Sequence, residues 1–288
     1  MARRNEMTSL NETRRDEIES VLQKHLHFLT GNATSYRRKN AWRKLTPLFA
    51  EPEALQHAIK IFREAYAWTA GPNRTDAAAF LAASGEREAL SELTEAALFG
   101  DGDAEDDKRR DAAVHNLVKF QPEFALQKFS RELGSGTHMR QMRAAEALAQ
   151  HPGKEAVEVL GEAALFSDPH TAVYSLVGLE GALEKKHSKR ALALVACALG
   201  HRKDDVFEQA AMMLSRKIAE KIALNRLFRF KSSRKAPSVE EIESAAKKLL
   251  PQKVDYNAFQ VFSEKLHKHP NVFIYHVAQS LKDAAVGR

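Results

Sequence analysis

Glu95-Ala96-Ala97-Leu98-Phe99-Gly100-Asp101 returns as Glu162-Ala163-Ala164-Leu165-Phe166-Ser167-Asp168, identical at six of seven positions and 67 residues further on. That spacing is two units of about 33, a period in the range of stacked helical repeats. Midway between the copies lies another pair of helical stretches, 122–134 and 137–150. Around the second copy, Ala156, Val157, Leu160, Ala163 and Ala164 fall at i, i+1, i+4, i+7 and i+8, one face of a helix. Phe273, Ile274, Val277, Ala278 and Leu281 repeat the pattern, as do Ala191, Leu194, Val195 and Ala198.

Punctuation separates these stretches at short intervals. Gly71-Pro72-Asn73, Ser84-Gly85, Gly100-Asp101-Gly102-Asp103, Gln121-Pro122, Gly134-Ser135-Gly136, His151-Pro152-Gly153 and Asp168-Pro169 each read as turns. Short turns between helices of roughly 11–16 residues make successive helices antiparallel neighbours, about fourteen of them in all. Ala112-Ala113, Ala144-Ala145, Ala172 and Ala210-Ala211 place small residues where second helices would approach closely. The expected fold is all-α, a right-handed α-solenoid of antiparallel helix pairs, because each pair can bury its apolar faces only against its neighbours.

Met142-Arg143-Ala144-Ala145-Glu146-Ala147-Leu148, followed by His151-Pro152-Gly153-Lys154-Glu155-Ala156-Val157-Glu158-Val159-Leu160, resembles a HEAT-type repeat. In that family the second helix opens on Val-Arg and runs into Ala-Ala-x-Ala-Leu, after an Asp in the turn. Asp101 and Asp168 occupy the Asp position; Gly134-Ser135-Gly136 departs from it, and the basic residue slips register. The likeness spans residues 74–215 and, more loosely, 36–70. It implies the solenoid fold and, through phycobilin-lyase-type repeats of similar pattern, leaves a lyase among the alternatives. HEAT-type DNA glycosylases are another, although only Trp42 and Trp68 supply tryptophan and no motif places a catalytic aspartate.

The expected organisation is a polar N-terminus at 1–16, a repeat domain at 17–228, a basic linker at 229–238 and a C-terminal helical cap at 239–288. Ser238, with Glu241 three residues on, has the spacing of an N-cap. Thirteen glycines and nine prolines in 288 residues are too few for an all-β chain of this size. No apolar run reaches the ~20 residues of a membrane span, and no h-region of a secretory signal follows the early arginines. Cys197 is the single cysteine, which excludes an internal disulfide and a cysteine-cluster metal site. A cytoplasmic, reducing location is the expectation.

Catalytic signatures are lacking. There is no His-Glu-x-x-His, no phosphate loop, no nucleophile elbow and no His-Glu dipeptide of the kind repeated in HEAT-type di-iron hydroxylases. His25/His27 and His267/His269 are two apart, which turns each pair to opposite sides of a helix. Cys197 lies in an apolar stretch and reads as a buried, inert thiol. The acidic run Asp101 to Asp107 fails the EF-hand pattern and reads as capping of the helix that follows. No cofactor or metal is expected.

Charge is unevenly distributed. Residues 1–50 hold 10 Lys/Arg against 5 Asp/Glu, 51–200 hold 17 against 23, and 201–288 hold 17 against 10. Tyr36, Arg37, Arg38, Lys39, Trp42, Arg43 and Lys44 combine cations with aromatics, as contact with phosphates and exposed bases requires. Arg216, Lys217, Lys221, Arg226, Arg229, Lys231, Arg234 and Lys235 form a second basic cluster. The leading expectation is a non-catalytic interaction module that binds a protein partner on a solenoid surface. The alternative is nucleic-acid binding through these two basic segments.

Overall fold

The computed structural model describes residues 20–21, 24–25, 27–29, 34–68, 71–99, 104–151, 153–183, 188–228, 236–250 and 256–286. Among them lie fourteen delimited α-helices and one short 3₁₀ helix, with no strand. In chain order these are α1 (Ser35–Leu45), the 3₁₀ helix (Thr46–Ala50), α2 (Pro52–Trp68), α3 (Gly71–Ser84), α4 (Arg87–Leu98) and α5 (Ala104–Phe120). Then follow α6 (Pro122–Ser135), α7 (His138–Gln150), α8 (Lys154–Phe166), α9 (Pro169–Ala182) and α10 (Ser188–Ala198). Last come α11 (Asp204–Phe228), α12 (Val239–Leu249), α13 (Tyr256–Lys268) and α14 (Pro270–Val286). The N-terminal segment 1–16 and most of the 229–238 linker lie outside the described residues.

Local chemistry explains where several helices start. Thr34 Oγ1 accepts from the Arg37 N–H at 3.4 Å ahead of α1. The Glu86 carboxylate accepts from the Ala89 N–H at 2.9 Å ahead of α4. Asp168 accepts from the N–H groups of His170 and Thr171 at 3.0 and 3.2 Å, and Pro169 follows at N1, where its missing N–H costs nothing. Ser238 Oγ accepts from the Glu241 N–H at 3.3 Å, the cap expected from spacing. Gly85, at φ +68°, makes the turn between α3 and α4, a backbone position that favours glycine.

Two expectations about helix boundaries need correction. Gly71-Pro72-Asn73 is not a turn but the opening of α3, where proline is well tolerated. The stretch after Asp204 does not stop within 16 residues: α11 runs for 25. It contains no glycine or proline, and Val206, Ala210, Leu214, Ile218 and Ile222 keep one buried stripe along it.

The chain divides into two compact units, residues 1–125 and 126–288. In the first, α2 packs on α3, α3 on both α4 and α5, and α4 on α5. Trp42 stacks on Phe62 at 5.7 Å, and Phe62 on Phe80 at 4.2 Å, which ties α1, α2 and α3 together.

In the second unit each helix from α7 to α11 packs on its successor, and α7, α8 and α9 also pack on the helix after next: α7 on α9, α8 on α10, α9 on α11. The α10 helix then packs on α13 and α11 on α14, while α12 lies against α11. Small residues make these approaches. A Cβ on Gly161 of α8 would lie 2.4 Å from Leu194 of α10, and one on Gly178 of α9 would lie 2.7 Å from the Ala145 carbonyl of α7. Ala144, Ala145, Ala172, Ala210 and Ala211 are all buried, and Ala145 lies at the second of these approaches. Cys197 differs from expectation in being only partly buried. It is the residue of α10 from 191 to 198 that the surrounding helices leave incompletely covered.

Candidate functional site

The first basic cluster forms a real surface. On α1, Tyr36, Lys39, Asn40 and Arg43 recur at i, i+3, i+4 and i+7 and so share one face, with Arg37 and Lys44 along its flank. Ala41 and Leu45, on the opposite side, are buried. Tyr36 is 80% exposed. Arg43 donates to the Asn40 amide oxygen at 3.0 Å, and Arg37 stands 5.9 Å from the Phe28 ring. Among the described residues, none of Arg37, Lys39, Arg43 and Lys44 has a carboxylate partner. Lys44 also acts on His25: burial first, and then the charges of Lys24, Lys44 and His27, push its imidazole below the ordinary value.

Two members of that cluster face inward instead. Arg38 approaches Asp76 of α3 at 3.8 Å. Burial raises the Asp76 carboxyl above its usual range, and Arg38 opposes the rise. The Trp42 ring lies in the Phe62/Phe80 stack and lines an apolar cleft of ≈ 570 Å³ with Leu55, Phe80 and Phe120.

The second cluster has a different character. Arg216 bonds Glu180 of α9 at 2.5 Å, and Lys217 bonds Glu220 at 3.2 Å. Arg226 is almost buried, its side chain 8% exposed, and forks onto both oxygens of Glu241 at 2.8 and 2.7 Å. That bond holds the guanidinium pKa above its ordinary value. Lys221 is half-buried. Arg229, Lys231, Arg234 and Lys235 lie outside the described residues.

A third surface carried no signal in the sequence. At the ends of α2 and α4, Trp68 is 87% exposed and Phe99 72% exposed. They wall an open cleft of ≈ 630 Å³ that the first turns of α5 close from the other side. Its floor is Tyr66, whose hydroxyl donates to the Arg109 carbonyl at 2.9 Å while the Arg109 guanidinium lies 5.2 Å from the ring. Burial pushes the Tyr66 hydroxyl up to about 12 against the charges of Arg109 and Arg74. Glu64, Glu92, Glu95 and Asp106 line the cleft, as does Arg63, whose guanidinium is held by Glu92 and lies 3.3 Å from Glu88. Phe166, the counterpart of Phe99 in the internal repeat, is likewise exposed, at 83%.

Among the described residues no three His, Cys, Asp or Glu side chains converge as metal ligands, and no helix is long and apolar enough to cross a membrane. His138 and His170 lie 4.7 Å apart at the surface, and His267 pairs with Glu243 at 2.9 Å. No protein-family model matches the chain, and no curated protein matches it significantly.

Proposed function

We propose that this chain is a non-catalytic interaction module, a right-handed α-solenoid of HEAT-like helix pairs that binds a protein partner in a reducing compartment. The 67-residue internal match supports the stacking, as does the packing of α7, α8 and α9 on the second helix beyond each. One observation carries the binding role. Trp68 and Phe99 stand exposed across the same cleft, and large aromatics left on a surface in this way are the residues that dominate protein interfaces. The test is affinity capture from native extract with the full chain and with a W68A/F99A variant, each with and without nuclease. A protein retained by the unmodified chain and lost with the variant supports the reading. Equal capture by both, or capture that nuclease abolishes, overturns it.

A second reading is polyanion binding on α1. It rests on the contrast between four cations there, which have no carboxylate partner among the described residues, and the ion-paired Arg216, Lys217 and Arg226 on α11. Phosphate contact needs cations whose charge is not already neutralised.

A further inference from the structure

We infer that the Trp68/Phe99 cleft accepts an arginine side chain presented by the protein partner, an inference that rests on the interaction-module reading above. The lining holds four carboxylates, Glu64, Glu92, Glu95 and Asp106, against two guanidinium groups. One of those two, Arg63, already serves Glu92 and Glu88. The other, Arg109, is laid over Tyr66.

Backbone charge acts on the cleft from two sides. Both α2 and α4 end at this cleft, and neither carries a basic residue in its last turn. Their terminal carbonyls therefore add partial negative charge that no side chain of the helix offsets. The N-terminal turn of α5 presents partial positive charge from the other side, so the excess rests on the side-chain carboxylates.

A ligand fitted to this place must be cationic at one end and able to lie against aromatic faces. Guanidinium meets both needs. It stacks on an indole through its planar face and forks onto carboxylates through its edge, and its aliphatic stem covers apolar wall. An ammonium group does the second less well, because it is a compact, strongly hydrated point charge. Phosphate-bearing ligands are repelled here, so this cleft and the cationic face of α1 select opposite partners.

The experiment uses the full chain and short capped peptides in which one arginine is flanked by leucines, with the citrulline peptide as the neutral isostere. Affinity is measured by calorimetry on the unmodified chain. It is also followed by emission of Trp68 in a W42F variant, where Trp68 is the sole tryptophan. The arginine peptide should bind saturably, at least tenfold tighter than its citrulline counterpart, and should weaken as salt rises. W68A and E64Q/E95Q should each weaken it at least fivefold with the helical circular dichroism unchanged, since Trp68 and both glutamates are exposed. Equal affinity for the two peptides would overturn the inference and leave the captured-partner test of the wider reading standing. Absence of peptide binding, or binding indifferent to W68A and to E64Q/E95Q, would overturn it as well.

Discussion

Gly178 of α9 crosses α7 at Ala145 so closely that a Cβ on the glycine would stand 2.7 Å from the alanine's carbonyl oxygen. Backbone cannot yield as a side-chain tip can. Gly178→Ala should therefore force the helices apart and cost about 1–3 kcal/mol, as should Ala145→Leu on the other side. Gly134, near the end of α6, has nothing within 4 Å of its missing Cβ. Gly134→Ala should stabilise by about 0.5–1 kcal/mol through helix propensity. Thermal or urea unfolding of the three variants checks the contrast.

Asp168 caps α9 with both carboxylate oxygens, one accepting from two N–H groups and the other from the Thr171 hydroxyl. Asp168→Ala should cost about 0.5–2 kcal/mol, whereas Asp168→Asn should retain most of the stability. The Thr171 hydroxyl, donating at 2.5 Å, and then the Thr171 and His170 N–H groups hold the carboxyl pKa below its usual range. A carboxyl lowered in the fold contributes its full stability above its unfolded pKa and loses it as pH falls through the folded value. The stability gap between the original protein and Asp168→Ala should accordingly be flat at neutral pH and close only below about pH 4. Chemical denaturation at a series of pH values measures it.

On α1, replacing Arg37, Lys39, Arg43 and Lys44 with glutamine should weaken binding to random oligonucleotides. It should also flatten the salt dependence by about 0.9 log unit per lost duplex phosphate contact. Lys39 belongs in this set in place of Arg38, which faces Asp76. Arg216→Gln with Lys217→Gln should leave both quantities alone. Fluorescence anisotropy at several salt concentrations decides: loss in the α11 pair but not in the α1 set would reverse the assignment.

Glu241→Gln should cost about 1–3 kcal/mol by removing the charged partner onto which the nearly buried Arg226 guanidinium forks. Adding Arg226→Gln should cost less than the two single changes predict, because both changes remove the same ion pair. A double-mutant cycle by thermal unfolding gives the coupling.

Much of the architecture was legible because helical periodicity and capping are local. The Ser238 cap and the alanine pairs follow from residues within one turn of each other, and Asp168-Pro169, which reads as a turn, is where α9 begins. What could not be read depends on neighbours far along the chain. Arg216 looks like a binding cation until Glu180, 36 residues away, closes on it. Arg38 and Lys39 are adjacent in sequence, yet one meets Asp76 and the other faces out. Phe99 follows a run of helical residues that pack inward. It turns outward because its own backbone is already extended, at φ −105° and ψ 161°.

Trp42 and Trp68 are the protein's two indoles, and both lie in residues 1–125. Tryptophan emission is therefore a private signal of that unit, while far-ultraviolet dichroism weighs every helix in the chain. A lesion confined to the second unit, such as Gly178→Ala, separates two cases. If melting is one cooperative event, the optical and dichroic midpoints fall together. If each unit melts alone, dichroism moves and emission holds its place. The placement of two side chains has thus supplied, without any added label, a means of asking whether the molecule comes apart in one step or two.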